Sequence, residues 1–232
     1  MKNIKGINLF NLIFCVILII ADACYLFVPA SEYITKTIAS GLFVLGGLIN
    51  LIYVIKHAST HSENKMFKWW MMVGLVFACM GDLFLIDFFV LGVLFFALGH
   101  VFYFISFLCV EKFCLRDLFS GTAIFLPSAL LILLYKGFDF EGLQGVILIY
   151  ALIISFMMGK AISNYLGSKN NKNLLVMLGT IAFFISDFVL MFRLFAGWGR
   201  VGSILCLAFY YPAQFLLAWS VEVVSKKTTI KE

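Results

Sequence analysis

Long apolar runs separated by short polar stretches dominate this chain of 232 residues. Eight such runs can be drawn, and each has about the 17 to 25 residues that a membrane-spanning helix needs. They cover residues 7–28, 34–55, 67–87, 88–110, 117–135, 143–163, 174–194 and 200–222. The pattern predicts an all-α fold, a polytopic membrane helical bundle of about eight transmembrane helices that forms a single integral membrane domain over residues 1–232.

The connections between the runs are short. The third and fourth runs follow each other directly, and Asp87 with the Gly92 region predicts a tight reversal there. The first run begins like a signal peptide, with Lys2 and Lys5 before an apolar stretch. Because that stretch continues to Val28, it is longer than the apolar region of a signal peptide. We therefore expect a retained first helix.

Composition supports a membrane protein. Hydrophobic residues make up 63% of the chain, charged residues 12%, and the mean hydropathy is +1.07, whereas soluble domains are about half apolar and a quarter charged. The net charge of +5 does not indicate nucleic acid, because the basic residues lie in short loops and tails. None of the six cysteines forms a C-x-x-C pair, which argues against disulfides and zinc.

Loop charges predict the orientation. With the N-terminus in the cytoplasm, thirteen of the 17 Lys and Arg residues fall on the inner side and four on the outer side. Positive charge concentrates in cytoplasmic loops. We therefore expect both termini in the cytoplasm, and we expect the cell membrane as the location.

Polar side chains inside the apolar runs share one depth. Asp22, Asp82 and Asp187 each lie about five to seven residues before the predicted outer end of a run, roughly 8 to 10 Å below the boundary. A carboxylate in hydrocarbon costs about 2.5 to 3.5 kcal/mol, so its default interpretation is a functional site with a partner. Asp22 is alternatively a solvated outer residue. Other polar groups at similar or greater depth are Tyr150, His100, Tyr210, Tyr211 and Gln214.

Asp82 and Asp187 are the strongest candidates for chemistry. Two carboxylates in one low-dielectric pocket cannot both ionise easily, so they would share one proton and provide an acid and a base together. The alternative is that each pairs with a cation such as Lys36 or Arg193 and only fixes helix packing.

The remaining polar residues have two interpretations each. His100 and Tyr103 are i, i+3 and share a helix face, where they would orient a carboxylate or contact a headgroup, or simply pack. Tyr210 and Gln214 are i, i+4 and would bond the aspartates or the substrate, or else hold helices together. Lys36 would bind a phosphate as a point charge or anchor its helix end by snorkelling.

Three ordered motifs resemble a known family. They are Gly81-Asp82 with Phe89, Gly92, Phe96, His100 and Tyr103; Gly179 with Phe184-x-Ser186-Asp187-x-x-Leu190; and Tyr210-Tyr211-x-Ala213-Gln214. Together with the eight-run count, this pattern is similar to that of the YhhN family of membrane proteins, the lysoplasmalogenases. The likeness extends from about Lys36 to Ala218. Lys36 matches a family lysine, although Thr37 stands where proline often follows.

The resemblance implies an activity. The family cleaves the vinyl-ether bond of lysoplasmalogen to a fatty aldehyde and glycerophosphoethanolamine or glycerophosphocholine, and its essential aspartates correspond to Asp82 and Asp187. It also places Ser186 in the aspartate motif. The expected partners are a lysophospholipid substrate and membrane lipids, with no nucleic acid, cofactor or metal. The oligomeric state and the headgroup and chain preferences stay open.

Three rival functions remain. One is another membrane lipid hydrolase, including a metal-dependent one with Asp and His ligands. Besides His100, however, only His57 and His61 are present, both in an inner loop, which argues against a multi-histidine site. The second is a proton-coupled transporter, in which buried aspartates relay protons, but internal repeats and broken helices are not evident. The third is a non-catalytic scaffold.

Overall fold

A computed structural model describes residues 9–17, 20, 32–57 and 65–222 of the chain. All regular secondary structure in these ranges is helical. The helices are α1 (9–17), α2 (Glu32–His57), α3 (Lys65–Asp87), α4 (Phe89–Leu108), α5 (Leu115–Leu134), α6 (Gln144–Gly167), α7 (Asn171–Phe195) and α8 (Gly199–Ser220). The predicted all-α class is confirmed.

Helices α2 to α8 are long and apolar enough to cross a membrane, so the chain is a multi-pass membrane protein. Each overlaps one predicted run, and the ends differ by at most four residues. Of the first run, 7–28, the described residues are 9–17, which we label α1, and residue 20, and all of them are helical. Asp22 lies outside the described residues. The cytoplasmic termini and the single domain stay predictions; we use "outer end" for the end of the bundle at which α3, α5 and α7 finish.

Six helices form a closed ring. Close backbone approaches join α2 to α3, α3 to α4, α4 to α6, α6 to α7, α7 to α8 and α8 back to α2. Helix α5 stands outside this ring. Among α2 to α8, only α6 has Cα atoms within 8 Å of α5. The ring therefore encloses the faces of α2, α3, α4, α6, α7 and α8 on which buried polar groups can meet.

Glycine residues allow close packing in two of the helix pairs. Glycine lets backbones approach where lipid offers no hydrophobic drive to associate. A Cβ atom at Gly81 on α3 would lie 2.8 Å from the ring of Phe96 on α4. A Cβ atom at Gly159 on α6 would lie 2.6 Å from the Cα atom of Gly121 on α5. These contacts fix the α3–α4 and α5–α6 pairs.

The predicted reversal between α3 and α4 is present. Phe88 is the single residue between the two helices, and its carbonyl accepts a 2.9 Å hydrogen bond from the Gly92 N–H. A Cβ atom at Gly92 would lie 2.6 Å from the Leu85 nitrogen. The absence of a side chain there lets the chain turn back directly, which brings the motif residues of α4 beside those of α3.

A buried ion pair joins the first turn of α5 to α6. The Lys160 ammonium donates a 2.8 Å hydrogen bond to Asp117 Oδ2 and a 3.0 Å hydrogen bond to the Lys112 carbonyl. The side chains of Lys160 and Asp117 are 0% and 1% exposed. The Cys114 N–H also donates to Asp117 Oδ2, at 2.8 Å. This pair holds the inner end of α5 against α6.

Helix α1 is attached by an amide pair. Asn11 Nδ2 donates to Asn50 Oδ1 at 3.1 Å, and Asn50 Nδ2 donates to Asn11 Oδ1 at 2.9 Å. Asn50 Nδ2 also approaches the Ala218 carbonyl on α8 at 3.1 Å. Both asparagines are buried. Asn50, which the sequence alone leaves without a role, therefore connects α1, α2 and α8.

Candidate active site

Asp82 is held by hydroxyls from two other helices. The Ser40 hydroxyl on α2 donates a 2.5 Å hydrogen bond to Asp82 Oδ2, and the Tyr210 hydroxyl on α8 donates one of 2.6 Å to the same oxygen. Asp82 is 8% exposed. Buried carboxylates need such donors, because an unsatisfied polar group in hydrocarbon costs several kcal/mol. The site thus draws together α2, α3 and α8.

Asp187 is held in the same way by two further helices. The Tyr150 hydroxyl on α6 donates a 2.6 Å hydrogen bond to Asp187 Oδ2. The His100 Nε2 atom on α4 lies 3.2 Å from the same oxygen and 2.8 Å from the Tyr150 oxygen. Each aspartate therefore receives a tyrosine hydroxyl from a neighbouring helix.

The hydrogen-bond pattern assigns the His100 tautomer. Tyr150 donates its single hydroxyl proton to Asp187, so the Tyr150 oxygen can only accept a hydrogen bond from His100. The imidazole proton of His100 is therefore on Nε2. The Nδ1 atom of His100 is buried and has no hydrogen-bond partner, which fits an unprotonated nitrogen better than an N–H group. An ordered series of donors thus leads from His100 through Tyr150 to Asp187.

Aromatic rings connect the two carboxylate clusters. The Phe183 ring packs edge-on against His100, with centroids 4.6 Å apart, and against Tyr210 at 5.3 Å. The Phe183 ring thus contacts both Tyr210, a hydrogen-bond partner of Asp82, and His100, a hydrogen-bond partner of Asp187. The two carboxylates interact electrostatically, and Lys36 acts on Asp82 as well. That Asp82 and Asp187 act as one site stays a prediction.

An apolar cavity reaches Asp187. Its volume is about 70 Å3, and residues of α3 to α7 line it. Asp187, Tyr150 and Ser128 supply its polar groups, and most of the remaining wall is aliphatic or aromatic. Asp82 does not line the cavity. Phe96 does line it, and its ring packs edge-on against the Tyr210 ring, with centroids 6.0 Å apart. The cavity is a suitable place for a hydrocarbon group next to a carboxylate.

Other predicted site residues lie around this centre in different roles. The Tyr103 hydroxyl donates a 2.8 Å hydrogen bond to Gln214 Oε1, which joins α4 to α8 without a hydrogen bond to either aspartate. The Ser186 hydroxyl lies 3.4 Å from Cys206 Sγ. Tyr211 is buried with its ring 5.1 Å from that of Tyr210. Of the predicted orienting residues, His100, Tyr150 and Tyr210 contact the carboxylates directly.

Ser40 is a site residue that the sequence did not identify. It is fully buried on α2, one helical turn after Lys36, so the two residues share a helix face. Serine is common in membrane helices as a small polar packing residue. The i, i+4 spacing from Lys36 was the available signal, but a single serine does not distinguish a ligand from a packing contact.

Within the described ranges, no three His, Cys, Asp or Glu side chains are grouped in a way that could hold a metal ion. The carboxylates are instead surrounded by hydroxyls, an imidazole and aromatic rings. The arrangement offers proton transfer and charge stabilisation in a dry environment.

Apolar helices around a buried and a partly buried carboxylate, each bound by hydroxyl groups, define an integral membrane protein with an intramembrane polar site. The family model described as the YhhN family matches residues 31–221. The chain belongs to the YhhN family, and the resemblance seen in its motifs is confirmed. The matched residues include both aspartates and all the side chains that hydrogen-bond to them. Comparison with curated proteins and with solved structures gave no match.

Proposed function

We propose that this protein is a lysoplasmalogenase-like hydrolase, which cleaves the vinyl-ether bond of a lysoplasmalogen to a fatty aldehyde and a glycerophospho-alcohol. One observation carries the proposal: the Asp187 carboxylate, held by Tyr150 and His100, forms part of the wall of an apolar cavity. A second carboxylate, that of Asp82, lies within electrostatic reach. Membership of the YhhN family supports a membrane hydrolase.

The chemistry of vinyl ethers explains why two carboxyl groups are needed. A proton adds to the carbon that is not bonded to oxygen, and the neighbouring carbon becomes part of an oxocarbenium ion. Water adds to that carbon and loses a proton, which gives a hemiacetal. The carbon–oxygen bond to glycerol then breaks, and the products are an aldehyde and an alcohol. One water molecule is consumed, and the catalyst regains its proton.

Asp82 and Asp187 divide this work in the proposal. One is the carboxylic acid that protonates carbon, and the other is the carboxylate that faces the cation and activates water. Paired carboxylates flank an oxocarbenium-like transition state in glycoside hydrolysis by the same logic. General acid–base catalysis typically contributes about 10² to 10⁴-fold. Stabilisation of the cation in a water-poor pocket supplies the remainder.

The surrounding residues have supporting roles. Tyr150 and Tyr210 orient the two carboxylates, and His100 fixes Tyr150. Lys36 acts on Asp82 electrostatically and would attract the phosphate of the lysolipid headgroup as a point charge. Phosphoethanolamine and phosphocholine headgroups both carry this phosphate. The substrate is a lipid of the membrane in which the bundle lies, and we propose the cell membrane.

Aldehyde release tests the proposal. Purified protein in detergent is incubated with a lysoplasmalogen, and the aldehyde is trapped and quantified. We expect one aldehyde per glycerophospho-alcohol. The matched 1-O-alkyl lysolipid should give no product, because it lacks the carbon–carbon double bond that accepts the proton. A carrier would release no aldehyde from either lipid, and an ester hydrolase would act only on acyl lysolipids; either result contradicts the proposal.

A further inference from the structure

The cavity beside Asp187 is too small for a whole lipid chain. A water molecule needs about 10 to 15 Å3 of such a space, so about five to seven groups the size of water or a methylene fit into the 70 Å3. The hydrocarbon chain of a typical membrane lipid has more than twice as many carbons. Any chain whose first carbons lie beside Asp187 must therefore continue out of the cavity.

Two sides of the cavity are closed by aromatic rings. At the outer end, the Phe195 ring on α7 packs against Phe89 on α4 at 6.1 Å and against Phe140 of the α5–α6 connection at 5.0 Å. Towards α7, Tyr135 at the end of α5 packs against Phe192 at 6.0 Å. We therefore expect a chain on either route to meet one of these ring pairs.

The side between α4 and α5 lacks such a ring pair. No Cα atom of α5 lies within 8 Å of a Cα atom of α7 or of α4, and both α4 and α5 are described throughout. No hydrogen bond or ring contact joins these two helices, yet Val93 on α4 and Ser128 on α5 both line the cavity. The neighbouring residues Leu94 and Leu130 are 52% and 55% exposed on the bundle surface. The cavity thus adjoins a gap that faces hydrocarbon.

Helix α5 is also fixed more firmly at one end. The Lys160–Asp117 ion pair and the Gly121–Gly159 contact hold its first half against α6. Pro127 lies inside the helix, just before the outer segment that borders the cavity. Proline removes a backbone hydrogen bond and favours a bend. The outer part of α5 is joined to α6 by the 3.1 Å hydrogen bond from Gln144 Nε2 to the Ile132 carbonyl. We therefore expect any change in the distance between α4 and α5 to occur in this outer part.

We propose that the hydrocarbon chain of the substrate leaves the cavity between α4 and α5, so that its first carbons lie beside Asp187 and the rest lies in the bilayer. This inference rests on the proposed function for the identity of the lipid. It makes the α4–α5 gap the place where the lipid enters sideways from the membrane. It also implies that the protein contacts and selects only the part of the hydrocarbon chain nearest the ether oxygen.

Photo-crosslinking tests the route without requiring turnover. The probes are two 1-O-alkyl lysophosphoethanolamines, which lack the double bond, with a diazirine either near the fifth carbon or at the chain end. In the full chain, the first probe should label residues that line the cavity. The second should label the exposed surfaces of α4 and α5 that border the gap. Labelling by the chain-end probe at α2, α3 or α8 instead would overturn the proposal.

A matched pair of variants provides a second test in the same photo-crosslinking experiment. Val93→Trp is designed to fill the gap, whereas Leu94→Trp places the same side chain at the next position, on the lipid-facing surface. We expect Val93→Trp to lower labelling by the fifth-carbon probe at least about fivefold, and Leu94→Trp to leave it within about twofold. Ser128→Phe with its control Leu130→Phe repeats the comparison on α5 if the first variant does not fold. Equal labelling within both pairs would overturn the route.

Chain length separates this inference from the proposed chemistry. With alkenyl substrates, Val93→Trp should lower the ratio of long-chain to short-chain turnover at least about fivefold, because a chain of about five carbons does not need the gap. An unchanged ratio in an active enzyme contradicts the route but leaves the proposed function standing. The expected labelling without any aldehyde formation supports the route and contradicts the proposed function.

Discussion

The hydroxyl of Tyr150 donates a 2.6 Å hydrogen bond to the Asp187 carboxylate, and the two residues come from different helices, α6 and α7. This bond orients the carboxylate that borders the cavity. A hydrogen bond to a charged group contributes about 1.5 to 3 kcal/mol. The position of the acid or base in the proposed reaction therefore depends on a tyrosine outside its own helix.

Replacing Tyr150 with phenylalanine tests this dependence. The ring would keep its contact with His100, whose centroid lies 5.4 Å away, but the donor to Asp187 would be lost. We expect kcat to fall about 10- to 100-fold, with little change in the thermal unfolding midpoint. Tyr135→Phe, at the exposed end of α5, is the control and should keep its activity. Full activity of Tyr150→Phe would show that this hydrogen bond does not matter.

Replacing either aspartate tests the proposed pair of carboxylates. Asp82→Asn and Asp187→Asn keep the size of the side chain but remove the ability to exchange a proton. We expect aldehyde release to fall at least about 100-fold in each variant, while gel filtration shows the same folded protein. Asp139→Asn, in the exposed α5–α6 connection, should behave like the unmodified protein. Near-normal turnover by either site variant contradicts the pair.

Ser40→Ala tests the role of Ser40, the hydrogen-bond partner of Asp82 that the sequence did not identify. The substitution removes one of the two hydroxyl donors to Asp82 Oδ2 and leaves the Tyr210 hydroxyl in place. We expect a loss of activity of about tenfold or more, since a hydrogen bond to a buried carboxylate is lost. Ser203→Ala removes only a local bond to the Gly199 carbonyl and serves as the control. If both variants are equally active, Ser40 is a packing residue.

The ion pair between Lys160 and Asp117 gives a prediction about stability. Removing one member leaves an uncompensated buried charge, which typically costs about 3 to 5 kcal/mol. Lys160→Met should therefore unfold at a markedly lower temperature in detergent. The double variant Lys160→Met with Asp117→Leu should recover much of that loss, because neither charge remains. A double variant as unstable as the single one contradicts this explanation.

Chelation tests the metal-dependent alternative. In the proposed mechanism the carboxyl groups supply the proton and stabilise the cation, so EDTA should leave aldehyde release unchanged after dialysis into metal-free buffer. Inhibition that added zinc reverses would favour a metal hydrolase and would require a different assignment of Asp82, Asp187 and His100.

Hydropathy was sufficient to predict most of the fold. Helix ends could be placed to within four residues because the apolar runs are long and end at polar loops. Depth along a helix could also be counted, which put Asp82, Asp187 and Tyr150 in one layer. The rotation of each helix about its axis could not be deduced from apolarity, because nearly every face is apolar.

Because the rotation of each helix was unknown, the sequence could not assign the hydrogen-bond partners of the polar residues. Tyr210 and Gln214 share a face of α8, yet Tyr210 bonds Asp82 while Gln214 bonds Tyr103. Only the three-dimensional arrangement of neighbouring helices separates these roles. The same limit applies to Ser40, whose contact with Asp82 depends on how α2 faces α3.

The reciprocal amide pair of Asn11 and Asn50 has an evolutionary consequence. Asn11 lies outside the stretch that matches the YhhN family, whereas Asn50 lies inside it. In a relative without an equivalent leading helix, an asparagine at position 50 would lose both hydrogen bonds that Asn11 supplies and keep only the one to the α8 carbonyl. Selection should then favour an apolar residue at that position, so the two sites are expected to vary together across the family.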